Sequence, residues 1–229
     1  MPQGTSRIGT YALVVLAGLC AVVVLMLSWP RLQACLLFLP VDTALSQYHE
    51  TRQIEPAQAD ALAGRAREAL AKYDHYRYWE GLSELQVLAS QDADKPYYQR
   101  RQILEQAVVA ATEAVKRAPA RPRTWLRIAR ARAALGRPGV DVIQAWKMSV
   151  LTGRVEPTLM LARLELGFRF HVVLDNDLVN LLRDQTVLTW SVQKKSFMES
   201  MDSGSLDPGL VRGILSGFHP DIIAEMEAE

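Results

Sequence analysis

The chain has 229 residues, enough for one ordinary domain plus an appendage, and a formal net charge of +1 that leaves any electrostatic role to local patches. Its only cysteines, Cys20 and Cys35, both lie near the N-terminus, so no disulfide framework or cysteine metal site is available to the rest of the chain. Helix formers dominate and no stretch alternates polar with apolar residues, which predicts an all-α fold.

The stretch Tyr11–Trp29, YALVVLAGLCAVVVLMLSW, is uncharged and long enough to cross roughly 30 Å of hydrocarbon as a helix. Interfacial aromatics stand at both of its ends. Arg7 and the free amine before it, weighed against Arg31 after it, give a small charge difference that predicts a cytoplasmic N-terminus, residues 1–10, and a periplasmic C-terminal domain anchored by one pass in a bacterial inner membrane. The alternatives are a cleaved signal peptide, which this run exceeds in length, and lipidation at Cys35, which LQAC supports poorly. Residues 30–55 follow as a membrane-proximal segment. Its apolar run, ACLLFLPV, is too short to span a bilayer and is expected either on the membrane surface or under the first helices of the domain.

Residues 56–200 read as helical pieces separated by turns. The first opens at Pro56, where a missing N–H is tolerated, with an apolar stripe of Ala59, Leu62, Ala66 and Ala69. After YDHYRYWEGLSELQVLAS and the loop QDADKP comes a helix carrying Ala107, Ala111 and Ala114 and stopping at Pro119. Trp125, Ile128, Ala129 and Gly136 follow, and Trp79 with Leu82 forms an earlier Trp-x-x-aliphatic echo of the same pattern. Together these positions resemble the tetratricopeptide repeat, a 34-residue helix-turn-helix unit that stacks into a solenoid. The resemblance spans roughly residues 76–192 and implies that the ten residues named pack the repeats. Arg132 stands where the family places a large packing residue, and is expected to meet a buried carboxylate or to mark a failure of the register. Residues 201–229, with the turn signals DPG and FHPD, are expected to form capping helices over the last repeat.

Chemistry is harder to find. The four histidines have no metal spacing, and no phosphate loop, dinucleotide fingerprint or nucleophile elbow occurs, so no catalytic residue, metal or cofactor is expected. The acids of Asp175–Asp177 open an apolar helical run and suit a helix N-cap. Tyr76 and Tyr78 lie in an aromatic cluster that reads either as a stacking platform or as filling between helix layers. Lys116–Arg137 holds eight basic residues and no acid, whereas Asp175–Glu229 holds ten acids against four bases. Arg123, Arg127 and Arg130 share a face expected to meet acidic protein, lipid headgroups or the acidic C-terminal part.

The tetratricopeptide resemblance implies a non-enzymatic scaffold that binds partner proteins, here within an envelope assembly, secretion or polysaccharide system, with self-association of its opposite-sign halves a further option. Two alternatives remain open. One is an envelope carbohydrate- or peptidoglycan-processing enzyme with carboxylates in a helical groove. The other is a nucleic-acid binder, which requires a cytoplasmic domain; the expected topology excludes nucleic acid.

Overall fold

In the computed structural model residues 5–228 are described, with side chains from Tyr11 to Ala228. The proposed cytoplasmic segment therefore lies partly outside them, and Arg7 contributes only its helical backbone. Among the described residues the fold is all-α.

The first helix, α1, runs unbroken from Thr5 to Thr51 and carries Pro30 and Pro40 inside it. Each proline removes a donor from the helical ladder, a defect that usually ends or kinks a soluble helix. Here it persists because Ala34, Phe38, Val41 and Leu45, spaced four, three and four apart, are buried against the next helices. The apolar run after Pro30 thus packs under the start of the domain, as part of the same helix that precedes it. Between Tyr11 and Trp29 the side chains are apolar and bare, and α1 is long and apolar enough to cross a membrane.

Helices then alternate in hairpins: α2 (Pro56–Lys72), α3 (Tyr76–Ala89), α4 (Tyr97–Arg117), α5 (Pro122–Ala134), α6 (Gly139–Thr152), α7 (Pro157–Arg169) and α8 (Asn176–Asp202). Loops of three to seven residues make successive helices antiparallel. Each helix packs on its chain neighbours, and α1, α3, α5 and α7 also touch in sequence, so they form one layer and α2, α4 and α6 the other. This is the arrangement of a tetratricopeptide-like solenoid, with the C-terminal part of α1 serving as its first inner helix. Helices α5 and α7 begin at Pro122 and Pro157, 35 positions apart and close to the family period. The α3–α4 unit is longer because α4 has 21 residues.

Small residues set the close approaches. Ala59, Ala63, Ala66 and Ala69 of α2 are fully buried, with Ala63 rather than the expected Leu62 completing the stripe. Ala107, Ala111 and Ala114 of α4 are buried, and the backbone of Ala107 accepts a hydrogen bond from the buried Ser83 hydroxyl. Leu82, Ile128 and Ala129 are buried, while Trp79 and Trp125 are only half-buried and direct their indole N–H groups to Asp74 and the Pro119 carbonyl. Gly136 ends α5 at φ +67°, a backbone state that favours glycine.

Arg132 departs from both outcomes expected of it. It is half-buried and meets no carboxylate; its guanidinium donates to the Asp141 carbonyl at 2.8 Å, tying α5 to the first turn of α6. The buried arginine of the solenoid is Arg163, six positions into α7 just as Ile128 is six into α5.

Helix α8 leaves regular geometry at Gln193, and its end folds with α9 (Pro208–Leu215) and α10 (Pro220–Glu227) around Phe197, Leu206, Val211, Leu215 and Ile222. Asp175 and Asp207 cap α8 and α9, each accepting from backbone N–H groups of the first turn.

The joint between α1 and the solenoid is tight at Gly81, where an added Cβ would lie 2.5 Å from the Phe38 ring. Gly81→Val is expected to cost about 1–3 kcal/mol by overpacking and to loosen α1 specifically. Amide exchange should rise at residues 34–45 and leave α5–α8 unchanged.

Candidate functional site: a charged groove beside the first helix

The inner layer curves around a groove of about 620 Å³, walled by α1, α3 and α5 with the start of α7 at its rim. Its walls are laid down by periodicity. Asp42, Leu45 and His49 are spaced three and four apart on α1, and Arg77, Glu80, Gly81 and Glu84 share one face of α3. Pro122 starts α5 beside them, presenting Thr124 and Arg127.

Ion pairs stitch these walls together. Arg121 forks onto Glu80 with two bonds of 2.9 Å, and the Thr124 hydroxyl donates to the same carboxylate. Arg127 reaches Glu84 at 2.6 Å and the Glu80 carbonyl at 3.1 Å, while His49 Nε2 lies 2.9 Å from the other Glu84 oxygen. Arg77 bridges to Asp42 at 2.7 Å. Burial alone would push the Glu84 carboxyl up, but Arg127, His49 and Arg123 together hold it below its usual range. That direction is opposite to the raised carboxyl a general acid at neutral pH requires. Glu80 and Glu84 thus act as braces between repeats.

The basic stretch is consequently not one uniform face. Arg127 is tied to α3, Arg123 is exposed at the groove rim with the Thr158 hydroxyl 3.3 Å away, and Arg130 is exposed on α5 outside the groove lining. Nor, among the described residues, does the run pair with the acidic C-terminal part. Its counterions are Asp74, Glu80, Glu84, Glu105 and Glu113, whereas the C-terminal acids hold Arg154, Lys194 and Arg212.

The aromatic cluster is divided in the same way. Tyr78 does not form part of a partner-facing platform: it is 8% exposed, with its ring centroid 4.7 Å from that of Phe38. Tyr76 is half-buried at the groove, covered by the Arg121 guanidinium at 5.2 Å. His75 caps α3 and lies between Tyr73 and Tyr76. The sequence pattern does not single out Glu80, Glu84, Asp42 and His49, although the four-residue spacing of Glu80 and Glu84 ahead of an arginine-rich inner helix is a visible signal.

Among the described residues no cluster of His, Cys, Asp and Glu has the makings of a metal site. No family model matches the sequence, and no curated protein matches it. Among solved structures the chain is similar to the crystal structure of a thermophilic tetratricopeptide-repeat protein of Thermus thermophilus. Identity is 17% and the TM-score 0.49, over 77% of this chain and 96% of that one.

Proposed function

We propose that this chain is a membrane-anchored, non-enzymatic scaffold whose groove binds a partner protein of a bacterial envelope assembly, secretion or polysaccharide system. In this reading Tyr11–Trp29 crosses the inner membrane once and the solenoid stands in the periplasm. The observation that carries it is the construction of the groove: one wall, Asp42 to His49, belongs to the same helix as the apolar stretch. A groove built in this way presents its occupant at a fixed height above the bilayer. Its walls hold charges of both signs already paired to each other, and they leave Ser46 and Arg123 exposed and the half-buried Tyr76 at the wall for a polypeptide to meet.

The test is site-specific photocrosslinking of the full chain in its native membrane. A photoreactive residue at Ser46 or Arg123 is expected to yield one discrete protein adduct, and one at Val140, on the outer layer, none. Adducts that are equally frequent from Val140, or absent from both groove positions, would contradict a binding groove.

A further inference from the structure

Resting on the membrane-span reading, we infer that one edge of the solenoid, formed by the α2–α3 and α4–α5 loops, docks on anionic lipid headgroups beside the span. The contacts fix which edge lies next to the bilayer. Arg31, two positions after Trp29, stacks over the Tyr73 ring at 4.9 Å, so the α2–α3 loop sits where α1 emerges. Asp74 in that loop is 2.6 Å from Arg117 at the end of α4, and Arg121 covers Tyr76, which brings the α4–α5 loop to the same edge. At about 1.5 Å per residue Arg31 is only about 3 Å beyond Trp29. A headgroup layer is roughly 5–7 Å deep on each side of the hydrocarbon, so the two loops fall within its reach.

Charge is polarised along this axis. Residues 116–123, KRAPARPR, carry four basic side chains and no acid, and residues 72–77 carry two bases and one acid. Lys72, Lys116, Arg117, Arg121 and Arg123 are all exposed; Lys116, Arg117 and Arg121 are shared with Glu113, Asp74 and Glu80, so the excess positive charge of the edge rests on Lys72 and Arg123. The opposite edge carries no comparable excess: residues 90–96 hold Asp92 and Asp94 against Lys95, residues 170–177 hold two aspartates and no lysine or arginine, and its other two loops hold Arg52 with Glu55 and Arg137. A field of this polarity draws the near edge down onto anionic lipid, and Pro119 and Pro122 stiffen the basic loop. An acidic protein would have to enter the same narrow space beside α1, whereas the bilayer is already there. The consequence is that the groove opens parallel to the membrane plane, close above it.

The experiment uses the full chain in lipid nanodiscs, either zwitterionic or with about a third of the lipid anionic as phosphatidylglycerol, and reads amide hydrogen exchange. In anionic discs residues 72–77 and 116–123 are expected to exchange at least about fivefold more slowly than in zwitterionic ones, with residues 90–96 unchanged. Raising salt from about 0.01 M to about 1 M shortens the screening length from roughly 30 Å to roughly 3 Å and should abolish the difference. The combined Lys72→Gln, Lys116→Gln, Arg123→Gln variant should lose it as well. Equal exchange in the two lipids would overturn the docking edge while leaving the span intact. Protection that inorganic phosphate reproduces in zwitterionic discs would assign the site to a soluble anion instead. A chain that fails to enter discs of either kind would overturn the span reading, and the docking edge with it.

Discussion

Arg163→Ala is expected to destabilise the folded chain by about 3–5 kcal/mol, as much as truncating a large buried aromatic side chain. Arg163 is fully buried, yet no carboxylate touches it. Its guanidinium donates to the Ser149 hydroxyl at 3.0 Å, the Ser149 carbonyl at 2.6 Å and the Gly153 carbonyl at 2.8 Å. These are groups at the C-terminal end of α6, where helical carbonyls lack partners of their own and where the helix dipole favours a cation. Burial pushes the guanidinium down to about 10, which leaves it charged at neutral pH. Truncation therefore orphans two buried acceptors on Ser149 and a half-buried one on Gly153, and opens a cavity at the same time. Arg163→Lys keeps the charge but not the fork, and should still lose about 2 kcal/mol. Denaturant midpoints at unchanged slope measure both. A loss below about 1 kcal/mol for the alanine variant would mean that the cost of burying the charge cancels its hydrogen bonds.

The second large effect belongs to Glu84, which joins α3 to α5 through Arg127 and to α1 through His49. Glu84→Gln leaves Arg127, largely shielded from solvent, without its counterion and is expected to cost about 3 kcal/mol. The effect depends on pH in a defined direction. The folded chain holds the Glu84 carboxyl below its ordinary 4.5, so it binds that proton more weakly than the unfolded chain does. The stabilisation is present above about 4.5 and is lost as pH falls through the lower folded value. In Glu84→Gln this acid-dependent component should vanish, so the wild-type and variant stability curves converge on acidification. Curves that stay parallel down to acid pH would remove Glu84 from the set of inter-repeat braces.

These two residues also mark where sequence reasoning succeeds and where it does not. Trp79, Ala107, Ala111, Ala114, Ile128 and Gly136 are legible because their spacing resembles the tetratricopeptide repeat, and that resemblance implies stacked helix hairpins. Arg132 stands out in the sequence for lying at a packing position, but it sits at the last turn of α5, where a long side chain can still reach a carbonyl of α6. Arg163 does not stand out, because a single basic residue in LMLARLELG looks like a solvated face. Its burial depends on the end of α6 arriving there, a long-range fact that no local pattern encodes. The arginine face is legible as basic, but its partners are not: Arg127 is tied to Glu84, 43 positions earlier, across a repeat boundary. Pro30 misleads for a related reason. Locally it signals a break, and only the burial of Ala34, Phe38, Val41 and Leu45 shows why α1 continues.

That continuity underlies the whole reading, since a groove held at fixed height requires the apolar stretch and the groove wall to be one rigid rod. Spin labels at Cys20 and at Ser46→Cys, in a Cys35→Ser background of the full chain in bilayers, flank both prolines. An uninterrupted helix places the two backbones about 39 Å apart at about 1.5 Å per residue. The expected result is a single narrow distance distribution near that value, unchanged when the groove is occupied. A broad distribution, or one shifted well below about 30 Å by a hinge at Pro30 or Pro40, would contradict the rigid rod and with it the fixed placement of the groove.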